Sequence, residues 1–180
     1  MKPLDKNFFT YEDYKNWEGR WELIDGKAYD MSPAPYPRHQ RVILKIAKIM
    51  MDSFECKNCE IYISPIDWKL DNINVVQPDI AIFCEDPKEQ YFSKTPPFIV
   101  EVLSKSTAKK DINEKFNLYE KSGVQYYIIV EPNSEVVDIF ELTNSKYELK
   151  SKLTNDKSYK FTFDDCKVSI DFKEVFGTKS

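Results

Sequence analysis

Apolar residues recur along this chain with two different periods, and the switches between them mark the elements. Trp21 to Met31 reads as a tight hairpin around Asp25-Gly26, a favoured two-residue turn, with Glu22 facing Tyr29 across it. Prolines 33, 35 and 37 impose an extended lead-in. From Tyr36 to Phe54 the apolar positions Val42, Ile43, Ile46, Ala47, Ile49, Met50 and Phe54 then fall at helical spacing with one buried stripe. Strand-like runs follow at about Glu60 to Ser64, Ile66 to Leu70 and Val75 to Phe83. Phe98 to Leu103 is apolar at every position except Glu101, the signature of a central strand covered on both faces. A helix is expected from Asp111, which has capping-box spacing with Glu114, to Gly123, which stands where a left-handed C-cap belongs. Gln125 to Val130 is another buried strand, so strand, helix and strand form a parallel crossover unit. Beyond Pro132 the pattern changes to Val136 to Leu142, further short strands and a last helix at Asp171 to Phe176.

With 180 residues, of which 42% are hydrophobic and 14% aromatic, the chain can bury a real core as a single domain over 1–180. It has no apolar run of membrane-spanning length and no charged-then-apolar leader, so a cytoplasmic protein with no membrane partner is expected. In such a compartment Cys56, Cys59, Cys84 and Cys166 are expected to be ordinary thiols. Cys56 and Cys59 form a CxxC that reads as half a zinc site or a redox pair, but no second such pair exists in the sequence and its one histidine is His39. Lys and Arg number 26 against 30 Asp and Glu, a net charge of −4, so any nucleic-acid binding rests on a local patch. One candidate is Ser104 to Lys115, with Lys105, Lys109, Lys110 and Lys115; the competing reading is a solvated helix entry.

Four scattered glycines exclude phosphate loops and dinucleotide fingerprints, which need clustered glycines. A single histidine, His39, excludes a His-rich metal site, and no nucleophile elbow is present. Chemistry must therefore come from carboxylates, lysine and a metal. Glu101 is the most informative residue, because an ionised carboxylate inside an apolar strand is costly unless something positive or hydrogen-bonding meets it. Asp79 follows Pro78 in a second apolar stretch, and the proline places that point at an edge, a bulge or a strand start. Acids on adjacent strands can share one Mg²⁺ or Mn²⁺, with the main-chain carbonyl of Val102 a natural third ligand. Structural pairing of the two acids is the alternative. A carboxylate-pair glycosidase finds no sugar platform in the sequence.

Pro78-Asp79, followed about twenty residues later by Glu101 in a buried strand, resembles the PD-(D/E)XK nuclease superfamily. Within it the match is closest to the Uma family of predicted endonucleases. The resemblance runs from about Trp21 to Pro132, on the segments 22 to 26, 32 to 40, 76 to 80, 101 to 107 and 111 to 119 and the strand ending at Pro132. It implies a restriction-endonuclease-like α/β fold, a central mixed β-sheet flanked by helices, with an N-terminal hairpin and helix and a C-terminal β-rich extension. It also implies a metal-dependent endonuclease acting on DNA, and a homodimer. In the superfamily motif a lysine lies two residues after the second acid, on the same strand face. Here that position is Leu103, and the resemblance points to Lys115 as a migrated replacement, with Asp111 and Tyr119 four residues to either side; the alternatives are a helix cap at Asp111, a surface ion pair of Asp111 with Lys115, and a core position for Tyr119. Glu22 resembles the family's first acidic position, or is an outward hairpin residue. His39, on the buried stripe, is a structural or site-lining histidine. Gln77 positions water or metal, or is an ordinary strand residue. The rival to an enzyme is a catalytically inactive module, kept for dimerisation or nucleic-acid binding, with Leu103 marking lost chemistry.

Overall fold

A computed structural model describes residues 7–32, 36–87, 90–104, 111–155 and 157–177. The predicted hairpin is present as β1 (Trp21–Ile24) and β2 (Lys27–Asp30), with Glu22 opposite Tyr29. Asp25 and Gly26 both take positive φ, 49° and 72°, as the mirror-image turn between twisted strands requires. A short helix α1 (Tyr11–Tyr14) precedes it; its Thr10 and Asp13 close a capping box that the hydrophobic pattern did not reveal. Helix α2 (Pro37–Ser53) starts with proline in its first turn and buries His39, Val42, Ile43, Ile46, Ala47 and Met50.

The chain continues through β3 (Glu60–Ile63), β4 (Asp67–Lys69), β5 (Val75–Val76), β6 (Ile80–Phe83), β7 (Tyr91–Phe92) and β8 (Phe98–Val102). A π turn, Asp111–Lys115, leads into α3 (Phe116–Ser122). Then come β9 (Tyr126–Glu131), β10 (Val136–Thr143), β11 (Lys146–Leu153), β12 (Ser158–Phe163), β13 (Cys166–Asp171) and α4 (Phe172–Phe176). One sheet has the order β11-β10-β9-β8-β6-β3, and a second has the order β2-β1-β5-β4-β7. In the first, only β8 and β9 run parallel, which makes it mixed. The hairpin β12-β13 forms its own two-stranded sheet.

Two expectations are corrected. Val75 to Phe83 is not one strand: it breaks at Gln77-Pro78-Asp79, and β5 and β6 join different sheets. Pro78 has no N–H to donate to a ladder, so the chain leaves one sheet there and enters the other. Nor are the cysteines separate thiols, since Cys56 is joined to Cys166 and Cys59 to Cys84. Each pair brings together residues that stand opposite one another across antiparallel backbone, a relation that spacing along the chain does not encode. Lys105, Lys109 and Lys110 of the basic tract lie outside the described residues.

Burial follows the alternation of β8. Phe98, Val100 and Val102 face a core shared with α2, β13 and α4, while Ile99 and Leu103 face a second core with Trp68, Val76, Tyr119 and Tyr127. Glu101 has the parity of that second face. Among the described residues no helix is long and apolar enough to cross a membrane.

Gly123 ends α3 at φ 83°, with Val124 N–H donating to the Tyr119 carbonyl at 3.1 Å. A β-carbon there would meet nothing within 4 Å, so the cost of one is purely conformational. Gly123→Ala is expected to remove about 1 kcal/mol of stability. Urea unfolding would read this as a lower midpoint at unchanged slope, and an unchanged midpoint would contradict it.

Candidate active site

The two sheets meet around one ammonium group. Lys115, 1% exposed, places Nζ 2.8 Å from Glu22 Oε1 and 2.8 Å from Glu101 Oε1. Glu22 arrives on β1 of the second sheet and Glu101 on β8 of the first; both are buried. Each carboxylate oxygen has a further donor. Gln77 N–H gives a hydrogen bond to Glu22 Oε1 at 2.8 Å, and the Tyr119 hydroxyl gives one to Glu101 Oε1 at 2.8 Å. Burial, and after it the charge of Glu101, hold the Tyr119 phenol well above its ordinary pKa, so it stays protonated and donating.

Lys115 and Tyr119 are four residues apart and reach the same oxygen, as helical spacing allows. Lys115 closes the π turn, a wider coil that sets where α3 begins. The side chain of Asp111 lies outside the described residues.

Asp79 sits one residue ahead of β6, where the ladder with β8 stops at the Ile80–Val100 pair. With no strand partner beyond that point, Val102 N–H is met by Asp79 Oδ2 at 2.8 Å, and His39 Nε2 approaches the same oxygen at 3.3 Å. N–H and C=O of one residue leave an extended strand on the same side, so the Val102 carbonyl also faces Asp79. Asp79 Oδ1 accepts from no group among the described residues, and the side chain is 16% exposed. A pocket of about 310 Å³ opens over His39, Leu103 and Ser104, with Arg38 and Asn133 on its rim.

Behind Gln77 the network continues outward. Arg20 donates to Gln77 Oε1 through Nη2 and Nε at 3.2 and 3.3 Å, and Gln77 Nε2 donates to Asp67 Oδ1 at 2.8 Å. The Tyr14 hydroxyl donates to the same Asp67 oxygen at 2.9 Å. Burial raises the pKa of Asp67, although the bonds from Gln77 and Tyr14 oppose the shift. Arg20, Asp67 and Tyr14 escaped the sequence reading. Asp67 alternates with Ile66, Trp68 and Leu70 and so looks like an outward strand residue, and nothing local marks Arg20 or Tyr14.

The structure therefore assembles Glu22, Gln77, Glu101, Lys115 and Tyr119 in one hydrogen-bonded cluster and joins Asp79, His39 and the Val102 main chain at its edge. Glu22 is inward and fully buried, not an outward hairpin residue. The Uma2 family model, described as "Putative restriction endonuclease", matches residues 8–161. The chain belongs to the Uma2 family. The uncharacterized Synechocystis sp. protein slr1290 is 30% identical over 137 residues, covering 72% of each chain. A second uncharacterized Synechocystis protein, sll1609, is 24% identical over 143 residues, covering 76% of this chain and 80% of its own. The crystal structure of a putative nuclease belonging to DUF820, from Anabaena variabilis, superposes with a TM-score of 0.72 at 14% identity. That match covers 93% of this chain and 97% of that one, and at such identity it establishes the fold alone. The mixed α/β architecture of this Uma2 chain is thus that of its structural neighbour.

Two stability measurements probe the site. Lys115→Met leaves two buried carboxylates without their shared ammonium and is expected to cost about 3–5 kcal/mol in urea unfolding; a loss below 1 kcal/mol would show that the cluster tolerates its absence. Asp67 has a folded pKa above its ordinary 3.8, so its contribution is full below that value and is lost as pH rises through the folded pKa. Asp67→Asn keeps an acceptor for Gln77 and Tyr14 without the buried charge. It is expected to raise the urea midpoint at pH 7 and to lose that advantage toward pH 4, and a variant weaker than wild type at pH 7 would reverse this account.

Proposed function

We propose that this Uma2 protein is a metal-dependent phosphodiesterase that cuts DNA, with Asp79, Glu101 and Lys115 as its central groups. The single observation that carries the reading is the Lys115 ammonium, 2.8 Å from Glu101 Oε1. A helix thereby supplies the cation that the superfamily motif takes from the strand position occupied here by Leu103.

The donors suit a hard divalent cation. They are oxygens throughout, Asp79 keeps one carboxylate oxygen without a partner among the described residues, and the Val102 carbonyl faces it. Asp79, Glu101 and Val102 would hold Mg²⁺ or Mn²⁺, which when bound would supply Lewis-acid stabilisation of charge on the phosphate oxygens. Lys115 donates to the attacking water or the phosphate as negative charge develops. Glu22 holds that ammonium directly, Tyr119 holds the Glu101 carboxylate that the ammonium meets, and Gln77 fixes Glu22 through its main chain. His39 steadies Asp79 from the pocket side. Substrate enters over the His39–Leu103 pocket, beside Arg38, whose guanidinium is paired with Glu135 at 3.1 Å. An acidic chain neutralises few phosphates, so binding is weak and falls only shallowly with salt. The active form in this reading is a homodimer.

One observation favours a second reading: the same ammonium neutralises buried carboxylates, which a purely structural ion cluster also requires. In that case the domain is an inactive module for dimerisation or nucleic-acid binding. Plasmid, linear and single-stranded DNA incubated with Mg²⁺ or Mn²⁺ distinguish the two. The enzyme reading expects cleavage that EDTA abolishes and that Asp79→Asn and Glu101→Gln reduce by about a hundredfold or more, with both variants still folded. Wild type that leaves all three substrates intact with either metal, or variants that cut as well as wild type, would establish the inactive module. Millimolar Mn²⁺ should also raise the melting temperature by a few degrees, and that rise should vanish in Asp79→Asn.

A further inference from the structure

All four cysteines of the chain, drawn from three separate segments, converge at one place away from the acid site. Two backbone pairings bring this about. Strands β3 and β6 are antiparallel with Glu60 opposite Phe83, so the next pair outward is Cys59 and Cys84, with Cα atoms 4.0 Å apart. Glu55 and Lys167 exchange both main-chain hydrogen bonds at 2.9 Å, so the adjacent pair is Cys56 and Cys166, with Cα atoms 4.5 Å apart. The short bend between Cys56 and Cys59 then sets the two pairs side by side.

The relation between the pairs is the informative one. Cys59 Sγ lies 3.6 Å from Cys166 Sγ, although these two residues are not joined. The sulfurs of Cys56, Cys59 and Cys166 all lie within 4.8 Å of one another. Two independent disulfides have no need of this proximity. A tetrahedral tetrathiolate site does, because zinc–sulfur bonds of about 2.3 Å set neighbouring sulfurs roughly 3.8 Å apart. Cys84 stands outside that group of three but is joined to Cys59 across the strands, which makes it the fourth ligand within reach. The CxxC thus finds its second pair in space, from Cys84 and Cys166.

We propose that Cys56, Cys59, Cys84 and Cys166 form a structural zinc site when reduced. The sulfurs are paired in the structure, so the metal-binding form is reached by a phosphine reductant: each disulfide takes two electrons and two protons, and the phosphine becomes its oxide with oxygen from water. Zinc then binds as four thiols release four protons to solvent. The resulting dianionic centre has Lys57 inside the CxxC and Lys167 next to Cys166 in the chain. Cys166 is buried in the core that α2 shares with β13, so the site clamps the β12-β13 hairpin onto the end of α2 and the edge strand β3. This centre is separate from the acid site and independent of whether the latter cuts DNA.

Metal-free protein reduced with a phosphine and titrated with Co²⁺, then Zn²⁺, tests the assignment. One cobalt per chain, with thiolate charge-transfer and tetrahedral ligand-field absorption that zinc bleaches, is the expected result. Cys84→Ser, at the exposed end of the cluster, should weaken binding by roughly tenfold or more while circular dichroism stays that of a folded protein. Asp79→Asn should leave the spectrum intact, which separates this centre from the acid site. Four freely reactive thiols with no bound metal, disulfides that persist through reduction and exclude cobalt, or cobalt absorption lost in Asp79→Asn but kept in Cys84→Ser would each overturn the zinc site.

Discussion

The fold turns on a charge that the interior will not accept alone. Glu22 and Glu101 belong to different sheets, and both are removed from water. Ionised carboxylates in such surroundings persist only with a cation and directed hydrogen bonds. Lys115 meets both at 2.8 Å, so the second sheet cannot slide against the first without uncovering charge. Other features follow from that demand. The π turn sets where α3 starts, Gly123 ends the helix after two turns, and Tyr119 is carried one turn beyond Lys115 onto the same carboxylate.

Pro78 has the complementary role. By ending one ladder and starting another, it leaves the main chain of Val102 facing an acid instead of a neighbouring strand. A sheet that continued through this point would satisfy Val102 with backbone, and Asp79 would have no reason to turn inward. The break therefore creates the only part of the cluster that both reaches solvent and keeps an uncommitted carboxylate oxygen among the described residues. The cluster divides accordingly, with Glu22, Glu101 and Lys115 as its dry half and Asp79, 16% exposed, as the half that meets solvent.

Much of this was legible from local pattern. Hairpin, α2, β8, α3 with its glycine cap and β9 all follow from periodicity and turn chemistry. Glu101 announced itself as the one polar position in an apolar run, whereas Lys115 came only from the family resemblance, as a stand-in for the motif lysine missing at 103. What escaped has a common cause in pairings between distant segments. Val75 to Phe83 has the composition of one strand, and only the competition of two sheets for its halves divides it. Asp67 has the alternation of a surface residue, because the network that buries it comes from Tyr14 and Gln77. The cysteines gave a single CxxC, and their convergence depends on the registers of β3 with β6 and of Glu55 with Lys167.

The ion cluster also shows how an ammonium carried at a helix end can meet a strand carboxylate that has no lysine beside it on the strand. A cation two residues after Glu101 would share that residue's face but displace Leu103 from the apolar cluster it forms with Tyr119 and Ile129. Delivered from a helix end, the ammonium reaches the same carboxylate by a route lined with its own partners, and the sheet face can remain hydrophobic. The exchange makes Lys115 answerable to two constraints at once: it must be held tightly enough to neutralise Glu22 and Glu101, yet stand beside the acid that meets solvent. Gln77 links those demands, because its main chain holds Glu22 while its side chain is tied to Arg20 and Asp67. A change at Arg20 or Asp67 therefore acts on the ammonium through Glu22, at a distance from any reacting atom.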